Sequence, residues 1–211
     1  MDKNKVSILH ISDLHVSDSD KLNDPRYLLD LKDELLQCQK RHGKINKILV
    51  TGDIIDARGN EELFYSRAEK FLKDMLNYLS LNEDDILIVP GNHDLIDVSD
   101  LVERMGEKKA LELRYGGYRN FYFKLKNKVE NTPETRFDLE VWEERKIVFI
   151  RIDSNNFDIL NAIKNEQGEN DRSTGNINDV ELQKYLGKNL SKYSGVPGKS
   201  GGDGAGYELG A

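Results

Sequence analysis

Residues 89–94 read VPGNHD. The apolar run Ile86–Val89 stops at Pro90 and Gly91, and an amide, an imidazole and a carboxylate follow without a break: Asn92, His93 and Asp94. A short apolar run closed by Pro and Gly reads as a buried strand and its exit turn. Polar groups placed directly after such a strand stand where the strand end can hold them rigidly at a cleft. The same pattern occurs twice upstream. KVSILHIS, residues 5–12, is strand-like and runs into Asp13 and His15. INKILVTGD, residues 45–53, is a second such strand and ends in Gly52 and Asp53.

Helical stretches separate these strands. In NDPRYLLDLKDELLQCQKRHG, Asp24 suits a cap, Pro25 the first turn and Gly43 the position just past the end. Leu28, Leu31 and Leu35 fall on one face. Asn60 caps a second helix, whose apolar face is Phe64, Ala68, Phe71, Leu72, Met75 and Leu79. Strand, helix, strand, helix, strand predicts an α/β fold with a parallel sheet covered by helices. In such sheets the carboxyl ends of the strands share one edge, and ligands bind there. Positions 13, 53 and 92 are therefore expected to meet in one cleft. Asp13 and His15 are two apart, so an extended backbone would point both side chains the same way.

The middle of the chain is less regular. Ser99 suits a cap for a helix holding Leu101, Val102 and Met105. GGYRNFYFKLKNK is expected to be helical, with Phe121, Tyr122 and Leu125 as a core stripe in preference to a stacking surface for nucleobases. TRFDLEVWEERKIVFIRIDS reads as a hairpin turning near Glu143 and Glu144. NDVELQKYLGKNL reads as a short helix capped by Asn178, with Leu182, Leu186 and Leu190 inward. The segment 195–211 holds seven of the 17 glycines and has no apolar periodicity, so it cannot fill a core. The expected division is a domain at 1–194 and a Gly-rich tail at 195–211, as a linker, a read-through segment or a cloning scar.

Composition bounds the setting. With 211 residues the chain can bury a sizeable core. The net charge of -7 does not indicate a nucleic-acid partner, although a local basic groove can hide inside an acidic balance. The apolar stretch near the N-terminus is broken by Ser7, His10, Ser12 and Asp13, so it is neither a signal peptide nor a membrane span. The single cysteine, Cys38, forbids an internal disulfide and reads as a half-buried helix residue. A reducing, cytoplasmic setting is the expectation.

Singly, each strand-end motif has an ordinary explanation: Asp13 as a loop carboxylate, Asp53 as a cap, GNHD as a turn. Together and in this order they point to metal chemistry. Hard oxygen donors with imidazole suit Mn²⁺, Fe or Zn²⁺. His10 lies three before Asp13, on the other side of the strand, and reads as structural.

DLH, GD and GNHD, in this order, resemble the motifs of the calcineurin-like metallophosphoesterases. The resemblance implies an α/β/β/α sandwich and two divalent ions, Mn, Fe or Zn with Mn favoured. It implies hydrolysis of phosphomonoesters or phosphodiesters by attack of a metal-activated water. By the same resemblance Asp13 and His15 hold one metal, Asp53 bridges both, and Asn92 holds the second. His93 assists the leaving oxygen of a phosphate ester substrate, and Asp94 orients His93. The family completes its site with later histidines, one alone and a pair in a GHxH-like motif. The histidines here stand at 10, 15, 42 and 93. The second ion then draws only on Asp53 and Asn92. The expectation is the N-terminal part of such a domain, incomplete at its C-terminus and an enzyme in its intact form. The alternative is a catalytically incomplete binding or regulatory module.

Overall fold

The three apolar runs form a parallel sheet in the computed structural model, which describes residues 5–18, 24–56, 59–98, 101–127, 137–153, 155 and 179–190. The strands are β1 (Ile8–Ile11), β2 (Lys47–Thr51) and β3 (Ile86–Val89), in the order β1-β2-β3. Ile11 pairs with Val50, and Val50 with Ile88. β1 and β2 are shorter than the strand-like stretches 5–12 and 45–53, and β3 coincides with its apolar run.

Helix α1 (Pro25–His42) joins β1 to β2, and α2 (Glu61–Leu79) joins β2 to β3. Asp24 caps α1 by accepting from the Arg26 N–H at 2.9 Å, and the Gly43 N–H closes the other end on the Gln39 carbonyl. Lys40, Arg41 and His42 in the last turn complement the helix dipole. Leu35 is buried, and Leu28 and Leu31 pack against the core. Cys38 is exposed, not half-buried. Asn60 caps α2 through the Leu63 N–H. The whole expected α2 face is buried, joined by Tyr65 and Leu76.

Beyond β3 come α3 (Val102–Met105), α4 (Glu107–Arg114) and α5 (Gly116–Lys126). α5 packs on α2 through Phe121 and Leu125, with Tyr122 half-buried; Phe121 stacks on Tyr65 with centroids 4.9 Å apart. The aromatic stripe is thus core. The expected hairpin is β4 (Phe137–Trp142) and β5 (Ile147–Ile152), antiparallel, with β5 beside β3. Two buried lysines brace the opposite edge of the sheet from the strand-end motifs. Lys47, the first residue of β2, reaches Glu140 at 2.9 Å and the Asp84 carbonyl at 3.2 Å. Lys126 reaches the carbonyls of Glu83 and Ile86 at 2.6 and 2.5 Å. A buried ammonium needs such acceptors, since desolvation without them costs several kcal/mol.

The chain divides into compact units at Met1–Asn176 and Ile177–Ala211. The described part of the second is α6 (Asp179–Leu190), the expected short helix, in which Leu182 and Leu186 are half-buried. The expected caps Ser99 and Asn178, and the Gly-rich segment 195–211, lie outside the described residues. Among the described residues no helix is long and apolar enough to cross a membrane.

The core makes a direct prediction. Leu72 is fully buried on α2, while Leu29 on α1 is 57% exposed. Leu72→Ala will cost about 2–5 kcal/mol in urea unfolding, and Leu29→Ala less than about 1 kcal/mol. Equal costs would contradict this packing.

Candidate metal centre

Past the sheet edge the β1 and β2 exits run side by side. The Asp13 N–H donates to the Gly52 carbonyl at 3.2 Å, His15 N–H to Asp53 at 2.9 Å, and Val16 N–H to Ile54 at 2.9 Å. This pairing is not extended strand. Asp13, His15 and Asp53 all have left-handed backbones, with φ of 55°, 44° and 51°. The expectation that strand alternation aligns Asp13 with His15 is therefore corrected. The two side chains converge because both residues turn. Left-handed backbone costs an L-residue about 1–2 kcal/mol, and Asp and His bear it better than most. Three such residues at one point mark a locus that the surrounding fold must hold in place.

The turns gather donors. One ligand atom each from Asp13, His15 and Asp53 lies within 4.8 Å of the others. His15 Nε2 stands 3.9 Å from Asp13 Oδ1, and both side chains are open to solvent. Donors around a single ion at about 2.1 Å are spaced up to about 4 Å apart. The cluster meets that spacing with sub-ångström side-chain movement, so it fits one divalent ion.

The β3 exit closes on this cluster. The backbone N–H of His93 donates to Asp53 Oδ1 at 3.2 Å. The His93 ring meets the His15 ring edge to face, with centroids 4.8 Å apart. Asn92 stands on the same loop, exposed, and among the described residues its side chain has no hydrogen bond. Gly91 is required by contact. A Cβ there would fall 2.1 Å from Asp53 Oδ1, and a Cβ on Gly52 would fall 2.7 Å from the Gly91 Cα. Sequence reasoning took Gly91 as a turn residue and missed this close approach.

Asp94 differs from its expected role. Its carboxylate does not hold the His93 imidazole. Oδ1 accepts from the N–H groups of Ile54 and Ile55 at 2.8 and 3.0 Å, and Oδ2 from the Gly91 N–H at 2.8 Å. Asp94 therefore ties the β2 exit to the β3 exit by their main chains. It is fully buried, and burial pushes its carboxyl up to about 6 against the opposing pull of those hydrogen bonds, with the Asp53 charge adding to the rise. Its own carbonyl receives the Tyr65 hydroxyl at 2.6 Å. Tyr65 was missed in the sequence, although 65, 68, 72, 76 and 79 continue the α2 stripe at helical spacing. His10 bonds Thr51 Oγ1 at 2.7 Å on the exposed face of the sheet, as a structural residue would. His42 is exposed at the end of α1.

Carboxylates and an imidazole at the carboxyl edge of a parallel α/β sheet define a candidate divalent-metal centre. The model of the calcineurin-like phosphoesterases matches residues 6–191, most of the chain. The chain belongs to that family, whose members bind divalent metals and hydrolyse phosphoesters. No curated protein matches the chain.

Two predictions follow from the geometry. Asp13→Gly relieves a left-handed residue, so stability in urea will stay level or rise by up to about 1 kcal/mol while divalent-ion affinity falls. A loss of more than about 1 kcal/mol would contradict the strain. The second concerns pH. Asp94 binds its proton more tightly folded, its value raised from 3.8 to about 6. Its contribution to stability is full below about pH 4 and is lost as the pH rises through about 6. Between these limits the metal-free chain will lose about 2–3 kcal/mol relative to Asp94→Asn. Parallel stability curves for the two proteins would refute the assignment.

Proposed function

We propose that this chain carries the metal-binding half of a phosphoesterase site that hydrolyses phosphate monoesters or diesters. The supporting observation is the convergence of Asp13, His15 and Asp53 at the sheet edge in a chain of this family. In this reading Asp13, His15 and Asp53 hold one ion. Asp53 and Asn92, from the neighbouring loop, would hold a second. Mn²⁺ is favoured over Fe and Zn²⁺, because the set is richer in hard oxygen than in imidazole. Such ions supply Lewis acidity toward a phosphoryl oxygen and lower the pKa of water.

The protein's own part is placement. Asp53 has one carboxylate oxygen, Oδ1, engaged by the His93 N–H, which helps fix the carboxylate. His93, whose ring packs on His15, would donate a proton to the leaving oxygen of a phosphate ester. Asp94 acts on this geometry through the backbone, by holding the two loops together. The free, exposed Cys38 suits a reducing, cytoplasmic setting.

One observation favours a second reading. The histidines of the given sequence are His10, His15, His42 and His93, and of these His15 and His93 stand at the cluster. The chain would then bind an ion as a regulatory or binding module without turnover. Calorimetric titration with Mn²⁺ and hydrolysis of an aryl phosphodiester separate the two. The enzyme reading expects both signals, and both lost in Asp53→Ala; turnover surviving that substitution would sink it. Binding without turnover would select the module.

A further inference from the structure

β5 ends as the parallel strands do, with polar groups directly after an apolar run: Asp153, Ser154 and Asn155 follow Ile152. Asn155 is only 7% exposed. Its side-chain amide donates to the Pro90 carbonyl at 2.9 Å and to Asp153 Oδ1 at 3.1 Å, and its backbone N–H donates to the same oxygen at 3.0 Å. The other oxygen, Asp153 Oδ2, accepts from the Tyr115 hydroxyl at 2.8 Å. Burial, and then the Asp153 charge, push the Tyr115 hydroxyl far above its ordinary range, so it is a fixed donor. The residue before it, Arg114, exchanges hydrogen bonds with Ile96: the Ile96 N–H donates to the Arg114 carbonyl at 3.2 Å, and Arg114 Nη1 donates to the Ile96 carbonyl at 3.3 Å. The segment from Pro90 to Ile96 is thus gripped at both ends.

Chemistry decides which way the Asn155 amide faces. The Pro90 carbonyl and the Asp153 carboxylate both accept, so the nitrogen must lie toward both. The next residue, Gly91, has no clearance against Asp53, as the position of an added Cβ shows. A small movement of the Pro90 carbonyl therefore passes directly to Gly91 and on to the His93 N–H that rests on Asp53.

We propose that Asn155 and Asp153 are positioning residues for the loop that carries Asn92 and His93. Asn155 fixes the Pro90 carbonyl, Asp153 fixes the orientation of the Asn155 amide, and the loop they hold sets His93 against Asp53 and His15. This rests on the site assignment proposed above, since it names the support of that same loop.

The test uses the full chain, labelled with ¹⁵N and free of metal, and follows amide hydrogen exchange by NMR. Asn155→Leu removes both side-chain donors at similar volume. The His93 amide will exchange about tenfold faster or more relative to the amides of β2. The core variant Leu72→Ala will speed exchange without singling out His93. Should Asn155→Leu fail to fold, Tyr115→Phe deletes only the hydroxyl that holds Asp153, and it will produce the same selective change at smaller size. His93 protection unchanged relative to β2 in the folded variants would overturn the proposal. A parallel titration with Mn²⁺ keeps the two ideas apart. If the unsubstituted chain binds no Mn²⁺, the metal assignment falls, and the exchange comparison still decides the positioning role. If it binds, Asn155→Leu will weaken the affinity about three- to tenfold, and an unaltered affinity counts against the proposal.

Discussion

The buried carboxylate of Asp94 is the constraint on which the site depends. Three main-chain N–H groups, from Ile54, Ile55 and Gly91, converge on its two oxygens. Those groups belong to two different strand exits, and without a buried acceptor each would be left unsatisfied at a cost of about 1–3 kcal/mol. The carboxylate resolves this by joining the exits. The join brings the Gly91 backbone onto Asp53 and the His93 N–H onto the Asp53 carboxylate. Asp94 thus shapes the donor cluster without being among the donors.

The sheet has two edges of opposite character. At the carboxyl edge, Asp13, His15 and Asp53 hold left-handed backbones, and their side chains crowd two carboxylates and an imidazole together. That arrangement lowers stability, in the manner of functional sites. At the other edge, Lys47 and Lys126 bind the carbonyls of the Glu83–Asp85 turn and the start of β3. Between them the core of Phe64, Leu72, Ile48 and Phe121 supplies apolar burial. The strained edge is affordable in a fold whose middle and far edge are well satisfied. The β1 and β2 exits pair with each other within a few residues of the sheet.

Much of this was legible in the sequence. The parallel sheet, both long helices with their caps at Asp24 and Asn60, the aromatic core stripe of α5 and the hairpin all follow from periodicity and turn chemistry. These are local signals, and local signals survive folding where apolar pattern and propensity agree. The donor cluster was legible for a related reason. Parallel strands must end on one edge, so Asp13, His15 and Asp53 had to approach each other. The resemblance in DLH, GD and GNHD named the same residues, and the family match agrees with it.

What tertiary structure alone decided is how those residues are held. Periodicity assigned Asp13 and His15 an extended backbone, and the fold turned both left-handed, because the β1 exit pairs with the β2 exit. The family resemblance paired Asp94 with His93, and the fold gave Asp94 to the backbones of Ile54, Ile55 and Gly91. Gly52 read as a strand end and Gly91 as a turn residue, and only their contact shows why neither can carry a Cβ. The reason is common to all three. A sequence states which groups each strand delivers to the edge, through local geometry. Which main-chain donors will be left unpaired there depends on how separate exits meet, and that is a property of the packed chain.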